Sequence, residues 1–395
     1  MSGIEREIEE EGGYAAHEEV DRGPGSSHPR VWLLLGEKPG DNAQILNLAR
    51  AVGWKFETKT IRMLPRWLDG KPWVRPRLDH VDMAGSDALE PPWPDLVITA
   101  GRRLSCVGFW IKRASSGGTR LVMVGQPRRL HSSVDLIVAA AHYRVRDAKN
   151  VVRHDLPFMN ADPERLASAV RTWQPRLAGM ARPLTALMVG GPTGGLRFDL
   201  AVARALFEKT LASVREDQGS LYITTSRRTP RDVVEMLRRE RPESTRLFEF
   251  GSDATTGGNP YHALLGLADR FVVTSDSASM LVEVARLGRP LAIHPLESTL
   301  GPVERRITEL GWMRPLSPTS DPIPAGGFRA RMMYRLGRPI HSRDLSAIPR
   351  LLVDGKRACW LGQEWVVPPP FVDHDLDRVA GRVRALLSPE SEKAG

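Results

Sequence analysis

The residues best placed to do chemistry in this chain lie in the run Phe271–Glu283 (FVVTSDSASMLVE). A short apolar stretch delivers Thr274, Ser275, Asp276, Ser277 and Ser279 to the start of an expected helix. Hydroxyls and unpaired backbone N–H groups at a helix N-terminus can hold an anion. Glu283 follows Ser279 by four residues, so the two project from one side of the first turns. A carboxylate there can accept from both hydroxyls of a ribose, as acidic residues do in dinucleotide sites. The same residues suit plain helix capping equally well, with Asp276 or Ser277 as N-cap and Glu283 a surface acid favoured by the helix dipole.

Three other segments fall at equivalent strand-to-helix junctions. Gly190–Gly195 (GGPTGG) follows the apolar run Leu184–Val189 and places backbone amides near the same edge, although it is not a GxGxxG motif. Thr224–Pro230 (TTSRRTP) puts Arg227 and Arg228 at a strand end, where guanidinium groups can grip a diphosphate or simply lie on the surface. Pro230 suits a first helical position with Thr229 as N-cap. Gly257–Tyr261 (GGNPY) brings Asn259 and Pro260 to a loop that either flanks a base ring or only turns.

These junctions need a scaffold, and the apolar pattern supplies one twice. Val31–Leu35 is a strand, Gly36–Asp41 a loop and Asn42–Val52 a helix. Strands at Phe56–Ile61, Leu96–Ala100, Leu121–Val124 and Leu136–Ala139 follow, with a helix at Leu104–Ala114. Past a helix at Pro163–Trp173 and a linker at Gln174–Arg182 the pattern restarts. It runs through strands at Leu184–Val189, Leu221–Thr224, Leu247–Phe250, Phe271–Thr274 and Pro290–His294. Between them lie helices at Leu200–Val214, Pro230–Arg239, Pro260–Leu267, Ala278–Leu287 and Val303–Leu310, and an amphipathic helix at Leu376–Leu387 ends the series. The strands are apolar throughout, as expected when helices cover both faces. The expected fold is α/β, with two Rossmann-like doubly wound domains facing across a cleft. The expected organisation is a disordered acidic segment (1–29), an N-terminal domain (30–178), a C-terminal domain (179–370) and a terminal helix and tail (371–395).

Composition narrows the function classes. Residues 1–29 carry a net charge of −6, leaving +15 on the rest of a chain whose total is +9. A basic body fits anionic partners such as phosphate ligands or an anionic membrane face. No apolar run approaches the length of a membrane span. Cys106 and Cys359 lie far apart without a CxxC or a histidine cluster, so neither a disulfide framework nor a zinc site is expected. The acidic string Asp373–Asp377 (DHDLD) reads as helix capping rather than as a metal site. Arg62–Arg77 interleaves Trp67 and Trp73 with Arg62, Arg66, Lys71, Arg75 and Arg77. Such a loop suits a membrane interface or an anionic acceptor, and Arg66, Trp67, Trp73 and Arg75 are its candidate contacts. Nucleic-acid binding is not expected, since no RNA- or DNA-binding motif accompanies it. No P-loop and no Tyr-x-x-x-Lys pair is present.

Trp32–Gln44 (WLLLGEKPGDNAQ), Thr224–Pro230 and Asn259–Glu283 together resemble the plant mitochondrial-fission factors of the elongated-mitochondria type and their bacterial relatives. The second half also resembles the donor domain of GT-B glycosyltransferases. This resemblance implies phosphate contacts at Gly190, Gly191 and Thr193, a basic position at Arg227 and Arg228, hydroxyls at Ser275, Ser277 and Ser279, and a ribose carboxylate at Glu283. It also implies a catalytic base on the loop after the first strand. Where the peptidoglycan glycosyltransferase family has a histidine, this chain offers only Glu37 and Asp41.

The activity these readings lead to is metal-independent transfer of a sugar from a nucleoside diphosphate sugar to an envelope or lipid-linked acceptor. The donor is a substrate and no cofactor is expected. The alternative is a non-catalytic, GT-B-like, peripheral membrane or partner-recruiting protein. The expected location is cytoplasmic, including the inner face of a membrane.

Overall fold

A computed structural model describes residues 28–68, 74–126, 133–143, 145, 147–193, 196–251, 258–297, 306, 309–310 and 344–388. Most of the acidic segment 1–29, Trp73, Gly194, Gly195 and Gly257 lie outside the described residues, as does the helix read at 303–310 except for Arg306, Glu309 and Leu310.

The chain divides into two compact units, Met1–Met159 with Asp373–Gly395, and Asn160–Val372. In chain order the first unit holds β1 (Val31–Leu35), α1 (Pro39–Val52), β2 (Phe56–Thr60), β3 (Leu96–Ala100), α2 (Arg102–Ala114), β4 (Arg120–Val124), β5 (Leu136–Ala140) and β6 (Val151–His154). The second holds α3 (Pro163–Leu177), β7 (Leu184–Val189), α4 (Leu200–Glu216), β8 (Ser220–Thr225), α5 (Arg231–Glu240), β9 (Arg246–Phe248), α6 (Tyr261–Leu267), β10 (Arg270–Thr274), α7 (Ala278–Arg286), β11 (Leu291–His294), α8 (Ala347–Asp354) and β12 (Cys359–Trp360). Helix α9 (His374–Ala385) then completes the first unit.

Each unit is built on one six-stranded parallel sheet, ordered β2-β1-β3-β4-β5-β6 in the first and β12-β11-β10-β7-β8-β9 in the second. The order explains the apolar strands. Along β1, Val31, Leu33 and Leu35 pack into one core with Ile45 and Leu48 of α1. The intervening Trp32 and Leu34 pack into another, with Val107 and Ile111 of α2. A strand covered by helices on both faces has no polar side to alternate with. In the second unit Val272 and Ala292 meet Phe207 of α4 and Met236 of α5 in one core.

Strand order also fixes where a ligand can sit. In a doubly wound sheet the crevice opens where the order reverses, at the carboxyl ends of the strands. That point lies between β1 and β3 in the first unit and between β7 and β10 in the second.

Several elements differ from the sequence reading. β6 and the two-residue β12 complete the sheets but are too short or too mixed to stand out as apolar runs. Helix α3 continues through Pro175 to Leu177, where a linker is expected from Gln174. It packs on α6 within the second unit, close enough that a Cβ at Gly266 would overlap Val170. Helical periodicity shows that α3 has an apolar stripe but not which neighbour covers it.

Helix α9 returns to the first core, where Val379, Ala380 and Val383 are fully buried beside α1. Replacing Val379 by Ala is expected to lower the stability of that unit by about 2 kcal/mol. Urea unfolding of the full chain measures this, and an unchanged midpoint would show that α9 is not integral to the core.

Candidate functional site

At the switch point of the second sheet, three loops converge on one carboxylate. Asp276 follows β10 and its side chain is fully buried. Its Oδ2 accepts from the Gly191 N–H at 3.2 Å and pairs with Arg228 Nη2 at 2.7 Å. The Thr274 hydroxyl accepts from the Gly190 N–H at 2.9 Å and lies beside Asp276. Burial pushes the Asp276 carboxyl up, while Arg228, the Thr274 hydroxyl and the Gly191 amide pull it back towards the ionised form. Its Oδ1 is buried without a partner among the described residues.

This cluster explains the glycines. A Cβ at Gly190 would overlap the Asp276 carboxylate, and one at Gly191 would overlap the Arg228 backbone carbonyl. Both amides read as phosphate donors are therefore occupied by protein oxygens. Thr229 does not cap α5, whose N-cap is Pro230. Its hydroxyl instead donates back to the Gly190 carbonyl at 2.7 Å, locking the β8 loop to the β7 loop. Arg228 belongs to this lock, whereas Arg227 is exposed. Thr193 is half-buried on the same loop, and its carbonyl accepts from the Leu196 N–H at 2.8 Å.

Ser275 is also structural. It is buried, and its hydroxyl accepts from the Leu296 N–H at 2.9 Å. Ser277 is the N-cap residue of α7, and its side chain makes no cap hydrogen bond among the described residues. Ser277 and Ser279 are half-buried there. Glu283 lies one turn further on and accepts from the Tyr261 hydroxyl at 2.6 Å. Burial raises the Glu283 carboxyl, and the phenol counteracts this. Asn259 Oδ1 accepts from the Tyr261 N–H at 3.0 Å, and the buried Pro260 between them is the N-cap residue of α6.

The structure thus brings Gly190, Gly191, Arg228 and Asp276 into one internal lock. It leaves Ser277, Ser279 and the α7 N-terminus on the switch-point side, with Glu283 on the same helix. Sequence reasoning passed over Tyr261 and His294. The signal for Tyr261 was a phenol directly after the Asn–Pro start of a helix. His294 ends the apolar strand β11 opposite Thr274. It is buried with neither ring nitrogen bonded among the described residues. Burial, with Lys209 acting in the same direction, holds its imidazole down at about 4.

The switch point of the first sheet forms an open cleft. Its walls are the loop after β1, with Glu37, Lys38 and Asp41, and the turn after β3, with Gly101, Arg102 and Arg103. Asn42 braces the first wall, bonding both the N–H and the carbonyl of Gly36 at 3.0 and 2.7 Å. Helices α1 and α2 both begin at this cleft without a side-chain cap. Gly101 adopts φ +76°, a left-handed turn that glycine makes without strain, and a Cβ there would press on Asp41 Oδ2. Asp41 is not an N-cap, because α1 starts at Pro39 with Lys38 in the capping position. Glu37 is partly committed, its Oε1 accepting from the Met63 N–H at 2.8 Å.

The Arg/Trp loop reaches this cleft through Met63 and Val74. Trp67 is half-buried, edge-on to His80 at 6.3 Å between ring centroids, with its indole nitrogen enclosed. It anchors the loop inward, whereas Arg66 and Arg75 are exposed. The acidic string before α9 is structural: Asp373 caps the helix, accepting from the Leu376 N–H at 3.2 Å, and Asp375 accepts from the Asp155 N–H at 2.9 Å. Among the described residues no helix is long and apolar enough to cross a membrane.

Two Rossmann-like parallel units, each with its polar loops gathered at a switch point, make this a doubly wound α/β protein. The chain belongs to the family described as Mitochondrial fission ELM1, whose profile matches residues 39–325. This bears out the resemblance carried by the sequence motifs. A Rickettsia prowazekii protein, RP120, is 25% identical over 300 residues, covering 67% of this chain and 82% of that one. The Arabidopsis thaliana mitochondrial fission protein ELM1 is 24% identical over 226 residues, covering 52% of each. Among solved structures, a UDP-GlcNAc 2-epimerase from Methanocaldococcus jannaschii matches with a TM-score of 0.43 and 10% identity, over 90% of this chain and 99% of that one. A likeness at that level carries no functional weight.

The low value for His294 makes a signed prediction. An unfolded histidine titrates near 6.5. The folded state resists protonation, so the stability tied to neutral His294 is complete above about pH 6.5 and is lost as pH falls towards about 4. The loss is up to about 3 kcal/mol. Denaturant unfolding of the wild type and His294→Gln between pH 7 and pH 4 should show the larger decline in the wild type. Equal declines would contradict the assignment.

Proposed function

We propose that this chain is a GT-B-type glycosyltransferase that moves a hexosyl group from a nucleoside diphosphate sugar to the hydroxyl of an envelope or lipid-linked acceptor without a metal. The observation that carries this reading is the N-terminus of α7, without a side-chain cap among the described residues, with Ser277 and Ser279 beside it and Glu283 one turn along, at the switch point of the second sheet. Helix amides, hydroxyls and Arg227 suit a diphosphate, and a half-buried carboxylate suits a ribose. Asn259 and Pro260 would flank the base.

The cleft of the first unit would take the acceptor, a role suited to its cationic wall of Lys38, Arg102 and Arg103. Asp41 is the better base there, because one oxygen of Glu37 already holds the Met63 amide. The base takes the acceptor proton, the acceptor oxygen bonds to the anomeric carbon, and the bond from that carbon to the diphosphate breaks. Charge on the departing diphosphate is met by the α7 amides and Arg227.

A second reading has its own support. The occupied amides of Gly190 and Gly191 favour a scaffold without catalysis, as does a relative named for mitochondrial fission. Such a protein would recruit a partner or rest on a membrane through Arg66 and Arg75.

Thermal-shift titration with UDP-, GDP- and dTDP-sugars separates the two. The transferase reading expects at least one sugar nucleotide to raise the unfolding midpoint by several degrees, roughly 2–4 °C per kcal/mol of binding free energy. It also expects Glu283→Ala to remove that shift. A folded chain that no nucleotide stabilises, but that sediments with anionic liposomes, would replace it with the scaffold reading.

A further inference from the structure

Glu283 is not a free carboxylate waiting for a ligand. The Tyr261 hydroxyl donates to its Oε2 at 2.6 Å. Tyr261 is firmly mounted: its backbone N–H donates to Asn259 Oδ1, and the residues after it, Ala263, Leu264 and Leu265, are wholly buried. Both partners are only half-buried. An unheld glutamate samples several rotamers, and ordering it costs conformational entropy. The phenol has already imposed that order. A carboxylate has about four acceptor positions on two oxygens. Tyr261 fills one of them.

We propose that Tyr261 is a positioning residue that fixes Glu283 for the two vicinal hydroxyls of a ribose, so that the ligand class is a ribonucleoside diphosphate rather than its 2′-deoxy form. This rests on the nucleotide reading of the second unit. The chemical reason is satisfaction of a half-buried acceptor. With Oε2 held by the phenol, loss of the 2′-hydroxyl leaves carboxylate oxygen short of a donor in a partly desolvated place. A site built to bond a hydroxyl discriminates strongly against the analogue lacking it. Tyr261 acts through Glu283 and needs no contact with the nucleotide. Burial and the nearby carboxylate both raise its phenol well above the ordinary range, so it stays a proton donor at any working pH.

Calorimetric titration of the full chain tests this, with UDP, GDP and their 2′-deoxy counterparts as probes. The wild type, Tyr261→Phe, Glu283→Gln and the double variant are compared. The wild type should bind one ribonucleotide about tenfold or more tightly than its deoxy form. Tyr261→Phe should weaken ribonucleotide binding about tenfold and bring the ribo-to-deoxy ratio towards one. In the Glu283→Gln background the same change should add little, since coupled residues are not additive. Binding by the wild type with an unchanged affinity and ratio in Tyr261→Phe overturns the proposal, as do losses that multiply independently of Glu283. If Tyr261→Phe does not fold, Glu283→Asp, which draws the carboxylate away from the phenol, must lower the ratio instead; an unchanged ratio there overturns the proposal too. A wild type that binds neither UDP nor GDP overturns the nucleotide reading itself, and the role of Tyr261 with it.

Discussion

The second unit depends on a buried carboxylate. Asp276 sits where the strand order reverses and is reached by the loops after β7 and β8 as well as its own. An ionised group in that position is tolerable only with several donors around it. Arg228 and the Gly191 amide supply them, with the Thr274 hydroxyl beside the carboxylate. The need for close approach then dictates glycine at 190 and 191, and the Thr229 hydroxyl secures the arrangement from the far side. The lock leaves the N-terminus of α7 without a side-chain cap among the described residues. Under the proposed function, a diphosphate would meet the helix N-terminus rather than the glycine loop.

The first unit solves a similar problem with an amide side chain. Asn42 holds Gly36 from both sides, and the left-handed turn at Gly101 brings the start of α2 to the same place as the start of α1. The result is a cleft with Lys38, Arg102 and Arg103 on its walls and two acids, Glu37 and Asp41, among them. One of these acids, Glu37, is partly tied to Met63.

The sheets were legible because strands buried on both faces are written as uninterrupted apolar runs, and VWLLL and LTALMV leave little choice. The edge strands β6 and β12 were not, because a few residues at a sheet edge carry no pattern. At the site, residue types were legible and their partners were not. Gly190, Gly191, Arg228 and Asp276 were all singled out, yet nothing local reveals that they bind one another across 85 residues of chain. Hydrogen bonds of that range are set by strand order, which a single sequence does not state. Trp67 shows the same limit: an aromatic among arginines suits an interface, but His80 from the far end of the loop draws it inward.

A structure of the chain crystallised with UDP would test nucleotide binding in the second unit most directly. The diphosphate is expected at the amides of Ala278–Met280 near Arg227, the ribose on Glu283, and the Tyr261–Glu283 hydrogen bond intact. A nucleotide bound away from α7, or density for none at saturating concentration, would contradict that expectation.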